Sequence, residues 1–139
     1  MFEFYGWASI GNRPTRPSTS GAQATLTTLQ RRLSELRVPG LVEVSFHQDL
    51  NGTISAVFVT GLRNHRLESV FAFFKWLGAV APHAYGLLYV LDDEDNRGPE
   101  HANSFHVWRL VRGVLSEHQD PFLSPFVPIV EDLYDESEA

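Results

Sequence analysis

Alternation with a period of two opens the chain. Phe2, Phe4, Ala8 and Ile10 fall on one side of an extended segment and Glu3, Tyr5, Trp7 and Ser9 on the other, which predicts a strand over about 2–10. Gly6 interrupts the run, as a glycine at a bulge does. "NRPTRPSTSG", 12–21, reads as a loop, because prolines and small polar residues break regular structure. Over about 22–37 the period changes to that of a helix. Leu26, Leu29, Leu33 and Leu36 line one stripe, Arg31, Arg32 and Glu35 lie elsewhere on the cylinder, and Val38-Pro39-Gly40 ends it. Two strands follow, about 41–50 and 53–60. Asn51-Gly52 between them has the residues that take the positive φ angles of a tight hairpin.

A second helix is expected over about 65–80, with Asn64 as its cap. Leu67, Val70, Phe71, Phe74 and Leu77 make its core stripe, while Phe73, Trp76 and Val80 fall nearly opposite. The segment 85–91 is apolar on both faces and so belongs in the middle of a sheet. Another strand is expected over about 104–115. The last stretch, "DPFLSPFVPIVEDLYDESEA", contains three prolines and cannot be a central strand; it reads as an extended arm with a frayed acidic end. The resulting fold class is α+β: a split β-α-β (ferredoxin-like) sheet with two helices on one face, an extra strand and a C-terminal extended arm, in a single domain over 1–139. The other sheet face must be covered or serve as a binding surface. Phe122, Phe126, Val127 and Ile129 of the arm are the natural cover for Tyr5 and Trp7.

Composition narrows the function. The chain has 139 residues, suited to one modest core, and its apolar runs are too short to cross a membrane. The opening residues lack the basic run and cleavage site of a secretory leader, and there are no cysteines, which together fit a cytoplasmic protein without disulfides. The formal net charge is −6, and the acids cluster at Asp92, Asp93, Glu94 and Asp95 and again at Glu131, Asp132, Asp135, Glu136 and Glu138. Such a surface repels phosphate backbones and attracts basic proteins, besides keeping a small chain soluble. A sheet-face RNA reader could stack bases on Tyr5 and Trp7 but needs cations nearby, and the only lysine is Lys75 on the second helix.

Catalytic patterns are absent. There is no nucleophile elbow, no H-E-x-x-H motif, no glycine-rich phosphate loop, and no calcium-loop spacing after Asp92. Asp92, Asp93 and Asp95, with His101 and His106, supply oxygen and imidazole ligands for a metal, and a metal-dependent hydrolase could be assembled from Asp92, Asp93, His101 and His106. Adjacent strand residues point to opposite faces, however, so Asp92 and Asp93 converge only if the chain turns there. The plainer explanation is a solvated turn helped by Asn96, Gly98 and Pro99. Phe73 and Trp76 pack against the first helix or under the arm, join two copies of the chain, or anchor an interface.

Several stretches resemble the immunity protein 7 family of bacterial polymorphic toxin systems. They are "FEFYGWASI" at 2–10, "GLRNHR" at 61–66, "YGLLYVLDDED" at 85–95, "NSFHVWRLVRG" at 103–113 and "DPFLSPFVPIVEDLYD" at 120–135, in order along nearly the whole chain. The resemblance implies a small non-enzymatic α+β protein, without cofactor or metal, that binds and neutralises a toxin domain encoded by the adjacent gene. Occlusion of the toxin's active or substrate-binding site is the expected mechanism. The expected contacts are Asp92, Asp93, Glu94 and Asp95, then Trp76, then Glu131 and Asp132. Acids of this kind would mimic phosphate in the basic groove of a nuclease or nucleotide-modifying toxin.

Overall fold

In the computed structural model, residues 1–11 and 19–134 are described. The elements are β1 (Phe2–Gly11), α1 (Thr19–Glu35), β2 (Val42–Gln48), β3 (Ile54–Arg63), α2 (Glu68–Val80), β4 (Tyr85–Asp92), α3 (Pro99–Ala102), β5 (Phe105–Val111), β6 (Val114–Gln119) and α4 (Phe126–Ile129); the expected order is kept through β5, while α3, β6 and α4 were not expected. The six strands form one sheet in the order β2-β3-β1-β4-β5-β6. Every neighbouring pair is antiparallel. Strands β1 to β4 with α1 and α2 have the split β-α-β arrangement, and the β5–β6 hairpin widens the sheet beyond β4. The doubly apolar β4 lies inside, between β1 and β5.

Both long helices cover one face. Phe2, Phe4 and Ala8 of β1, Val57 and Val59 of β3, and Leu88 and Val90 of β4 meet Leu29 and Leu33 of α1, Leu36 just past its end, and Val70, Phe74 and Leu77 of α2. These are the positions that strand and helix periodicity select. Phe73 is buried in the same core, and Trp76 packs at its edge with the Arg32 guanidinium of α1 4.5 Å from its ring centroid. Phe73 and Trp76 of the second apolar stripe of α2 therefore lie toward α1, while Val80 at its end is exposed.

Several local expectations are corrected. Gly6 marks no bulge: β1 pairs without a break, Phe2 with Arg63 through Gly11 with Ile54. A Cβ there would lie 2.8 Å from Leu88, 2.9 Å from Val59 and 3.0 Å from Phe74, so the missing side chain makes room for α2 to sit close. The hairpin between β2 and β3 is real, but its loop is longer than Asn51-Gly52. Asp49 spans it, accepting hydrogen bonds from Thr53 Oγ1 and the Ile54 amide at 2.8 Å each, and only Gly52 has positive φ. The two-residue turn with positive φ at both positions is Arg112-Gly113, at 51° and 78°, and it splits the strand expected over 104–115 into β5 and β6. α2 starts at Glu68, and Asn64 is not its cap; the flanking residue is Leu67, with no side-chain cap. Of the expected loop at 12–21, residues 12–18 lie outside the described residues, and Thr19 to Gly21 belong to α1. The acidic end beyond Tyr134 also lies outside them.

The arm does not cover Tyr5 and Trp7. Asp120, 4 % exposed, accepts hydrogen bonds from the amides of Phe122 and Leu123 and from the Ser124 hydroxyl, which folds the chain back at the end of β6. Asn103 then grips the following segment: its amide nitrogen donates to the Val127 carbonyl and its amide oxygen accepts from the Val127 amide, 3.0 Å each. Phe126 meets Phe105 edge to face. The arm thus shields Phe105, beside Leu91 across β4, at one end of the sheet. Tyr5 and Trp7 stay 48 % and 37 % exposed, and Phe122 and Ile129 of the arm are themselves exposed.

Candidate functional site

The acidic junction after β4 is a folded turn. Asp92, the last strand residue, pairs with Phe2 and is buried. Its Oδ1 accepts the Glu94 amide at 3.1 Å, and its carbonyl accepts the Asp95 amide at 3.2 Å. Four successive acids therefore point in different directions. Asp93 and Glu94 remain about half exposed, with Asp93 Oδ1 2.7 Å from the Met1 amine and Glu94 Oε1 2.9 Å from His65 Nδ1. Asp95 turns inward under Arg97, whose Nη2 lies 2.7 Å from Asp95 Oδ2 and whose Nη1 lies 2.7 Å from Glu117 Oε1 on β6.

Arg97 is the hub of this network. Its hydrogen bonds hold the Asp95 carboxyl down at about 2 and the Glu117 carboxyl below its usual range, while the two carboxylates raise Arg97 in turn. The His65 hydrogen bond likewise lowers Glu94. Beyond the turn, Gly98 (φ 137°) and Pro99 start the single turn of α3. Arg66 lies 4.1 Å over the Phe71 ring and 5.9 Å over Trp108, closing the core beside the loop. Between these groups opens a cleft of about 490 Å³, lined by His65, Arg66, Asp92, Asp95, Trp108 and Glu117 among others. Arg66 and Arg97 share its lining with the acids, so the negative patch expected from the sequence becomes a mixed surface, with Asp93 outside the cleft.

The four-residue ligand set expected for a hydrolase does not assemble. Asp92 is engaged by its own turn and Asp93 points to the Met1 amine. The group that does meet is Asp95, His101 and His106, each with a ligand atom within 4.8 Å of the others. Adjacent side chains diverge along a strand, and only the turn geometry decides that Asp95 faces the histidines. Of the remaining expected contacts, Trp76 is half-buried under Arg32, while Glu131 and Asp132 are exposed just past α4.

A second surface emerges that periodicity alone half revealed. On the sheet face opposite the helices, Trp7 stands across from Phe58 and Leu87, and Tyr5 across from Thr60 and Tyr89. Tyr85 meets Trp7 edge to face, with centroids 6.1 Å apart. Tyr5, Trp7, Phe58 and Tyr85 are all exposed. A shallow apolar depression of about 510 Å³ runs between Tyr5, Trp7, Phe58 and Tyr89. Glu3 and Glu43 border this face; Glu3 accepts a hydrogen bond from the Tyr5 hydroxyl, which pushes the phenol up to about 12, and Glu43 pairs with Arg37 at 2.8 Å. No helix among the described residues is long and apolar enough to cross a membrane.

Comparison with known proteins places these features in context. The model of the family described as Immunity protein 7 matches residues 1–132. No curated protein and no solved structure matches the chain.

Proposed function

Because the chain belongs to the immunity protein 7 family, we propose that it binds a cognate toxin domain, the product of the adjacent gene, and neutralises it by occlusion without catalysis. It acts in the cytoplasm of the producing cell and its kin. The observation that carries the mechanism is the uncovered aromatic face. An apolar sheet surface of this kind, left open while the arm seats elsewhere, is unusual on a protein with no partner and typical of an interface. Aromatic side chains supply much of the binding energy when desolvated, so Trp7 and Phe58, with Tyr5 and Tyr85 around them, are suited to anchor the toxin.

The acids serve a separate task. Asp93 and Glu94 project from the loop, and Glu131 and Asp132 follow the arm, which is tied to the same end of the sheet through Asn103. They steer a basic toxin, of the nuclease or nucleotide-modifying kind, and stand in for its phosphate substrate. Asp92 and Asp95 contribute by holding the loop in shape, and Trp76 by fixing α2 on α1.

Growth rescue tests the reading. Cells in which the neighbouring toxin is induced survive with this chain and die without it, and the two proteins copurify. Trp7→Ala and Phe58→Ala each weaken the complex tenfold or more, about 1.4 kcal/mol. The Asp93→Lys, Glu94→Lys pair slows association and flattens its dependence on salt. Equal death with and without the chain contradicts immunity. Unchanged affinity in both aromatic variants contradicts the open face as the anchor.

A further inference from the structure

Asp95, His101 and His106 come from three different elements: the loop after β4, α3 and β5. The two imidazole rings lie side by side, with centroids 5.2 Å apart and planes inclined by 18°. His106 is 5 % exposed, and its Nε2 is buried with no hydrogen-bond partner among the described residues. Buried ring nitrogens are nearly always paired, so this one calls for a partner.

Glu117 decides what kind. Its Oε2 lies 3.3 Å from Nδ1 of His106, and a carboxylate at that distance favours the proton on Nδ1. Nε2 then presents a lone pair, which needs a donor or a cation. Arg97, the nearby donor, is committed to Asp95 and Glu117.

We propose that Asp95, His101 and His106 bind one first-row divalent transition metal ion, with zinc as the representative. Two imidazoles and a carboxylate suit zinc far better than magnesium or calcium, which favour oxygen ligands. Zinc–ligand bonds of about 2.0–2.2 Å put the ligand atoms of a tetrahedral site roughly 3.3 Å apart. One ligand atom from each of the three residues already lies within 4.8 Å of the others, and His101, on a single helical turn and only half-buried, can close the difference by rotating. The surroundings have the outer shell such sites use: Glu117 orients His106 through its far nitrogen, and Arg97 fixes Asp95. Each Asp95 oxygen has two lone pairs, so it can accept from Arg97 and bind a cation together. Two carboxylates against one guanidinium leave the pocket net negative. The ion would staple the acidic loop and α3 to β5, setting the geometry of the surface that carries Asp93 and Glu94. The assignment stands independently of the toxin-binding reading.

Calorimetric titration of the chelator-treated full-length chain with zinc chloride tests it. One saturable site per chain is expected, together with a higher melting temperature and, with cobalt, the visible absorption of tetrahedral coordination. His101→Ala weakens binding at least tenfold, as does His106→Gln. His101 is the decisive position should the buried His106 variant fail to fold. His47→Ala, on the opposite sheet edge, leaves binding unchanged. No saturable binding, or equal binding by wild type and His101→Ala, overturns the site, as does loss of binding on substituting His47.

Discussion

Asp120 shows how one side chain can position a whole segment. Its buried carboxylate accepts two backbone amides and a hydroxyl, and the Tyr89 hydroxyl lies 3.4 Å away. Asp120→Ala leaves those donors unpaired and is expected to destabilise the protein by about 2–4 kcal/mol in urea unfolding, whereas a change under about 0.5 kcal/mol would show that water replaces it readily. An aspartate before a proline reads in sequence only as a turn former, and nothing in its spacing announced the four donors it collects. The four acids after β4 posed the same difficulty. That they end a strand was legible, but which of them faces inward depends on the turn, so Asp95 rather than Asp92 or Asp93 joins the histidines. Tyr5 gives a second test at this scale. The hydrogen bond to Glu3 favours its protonated form, so its phenol titrates near 12 instead of 10. Any stability from that bond is present below pH 10 and fades as pH rises through about 12. The phenolate absorbance difference between wild type and Tyr5→Phe should show this, and Glu3→Gln should bring the titration back toward 10; a Tyr5 titration near 10 in the wild type would exclude the bond.

Elements were legible where periodicity had room to repeat. The strands at 2–11 and 42–48 follow from alternation, 54–63 from the Asn-Gly turn before it, 85–92 from a run apolar on both faces, and both long helices from a leucine or phenylalanine stripe. The four-residue α3 and the Arg112-Gly113 turn were not, because one helical turn has no period to detect and arginine carries no preference for positive φ. The prolines excluded the arm from the middle of the sheet, but neither its seat nor the single turn of α4 within it was legible. Asn103 and Phe105 hold it at the end of β4 and β5, and composition says nothing about which neighbour will offer hydrogen bonds. Gly6 separates two explanations of a glycine within a strand. A bulge would tolerate alanine, whereas the close approach of Leu88, Val59 and Phe74 predicts that Gly6→Ala overpacks the core. The expected loss is about 1–3 kcal/mol, read from the shift in denaturation midpoint. An unchanged midpoint would show that those three side chains move aside without strain.

At the scale of the whole molecule, the architecture leaves two distinct surfaces. The helices seal one face of the sheet, the arm seals one end of the other face, and the remaining aromatic patch is left open beside an acidic rim. Charge and aromatic content pointed in sequence to a protein partner; the open patch emerged only when the arm proved to lie elsewhere. On this account affinity comes from burying Trp7 and Phe58, and speed of encounter from Asp93, Glu94, Glu131 and Asp132. Inhibition then requires nothing beyond contact. The most direct test is a titration of the purified cognate toxin with this protein while the toxin's own reaction is followed. The account predicts that activity falls linearly to zero at one chain per toxin and returns when the complex is dissociated with both proteins chemically unaltered. Full activity at a large excess of this chain, or inactivation by substoichiometric amounts that leaves the toxin modified, would contradict it.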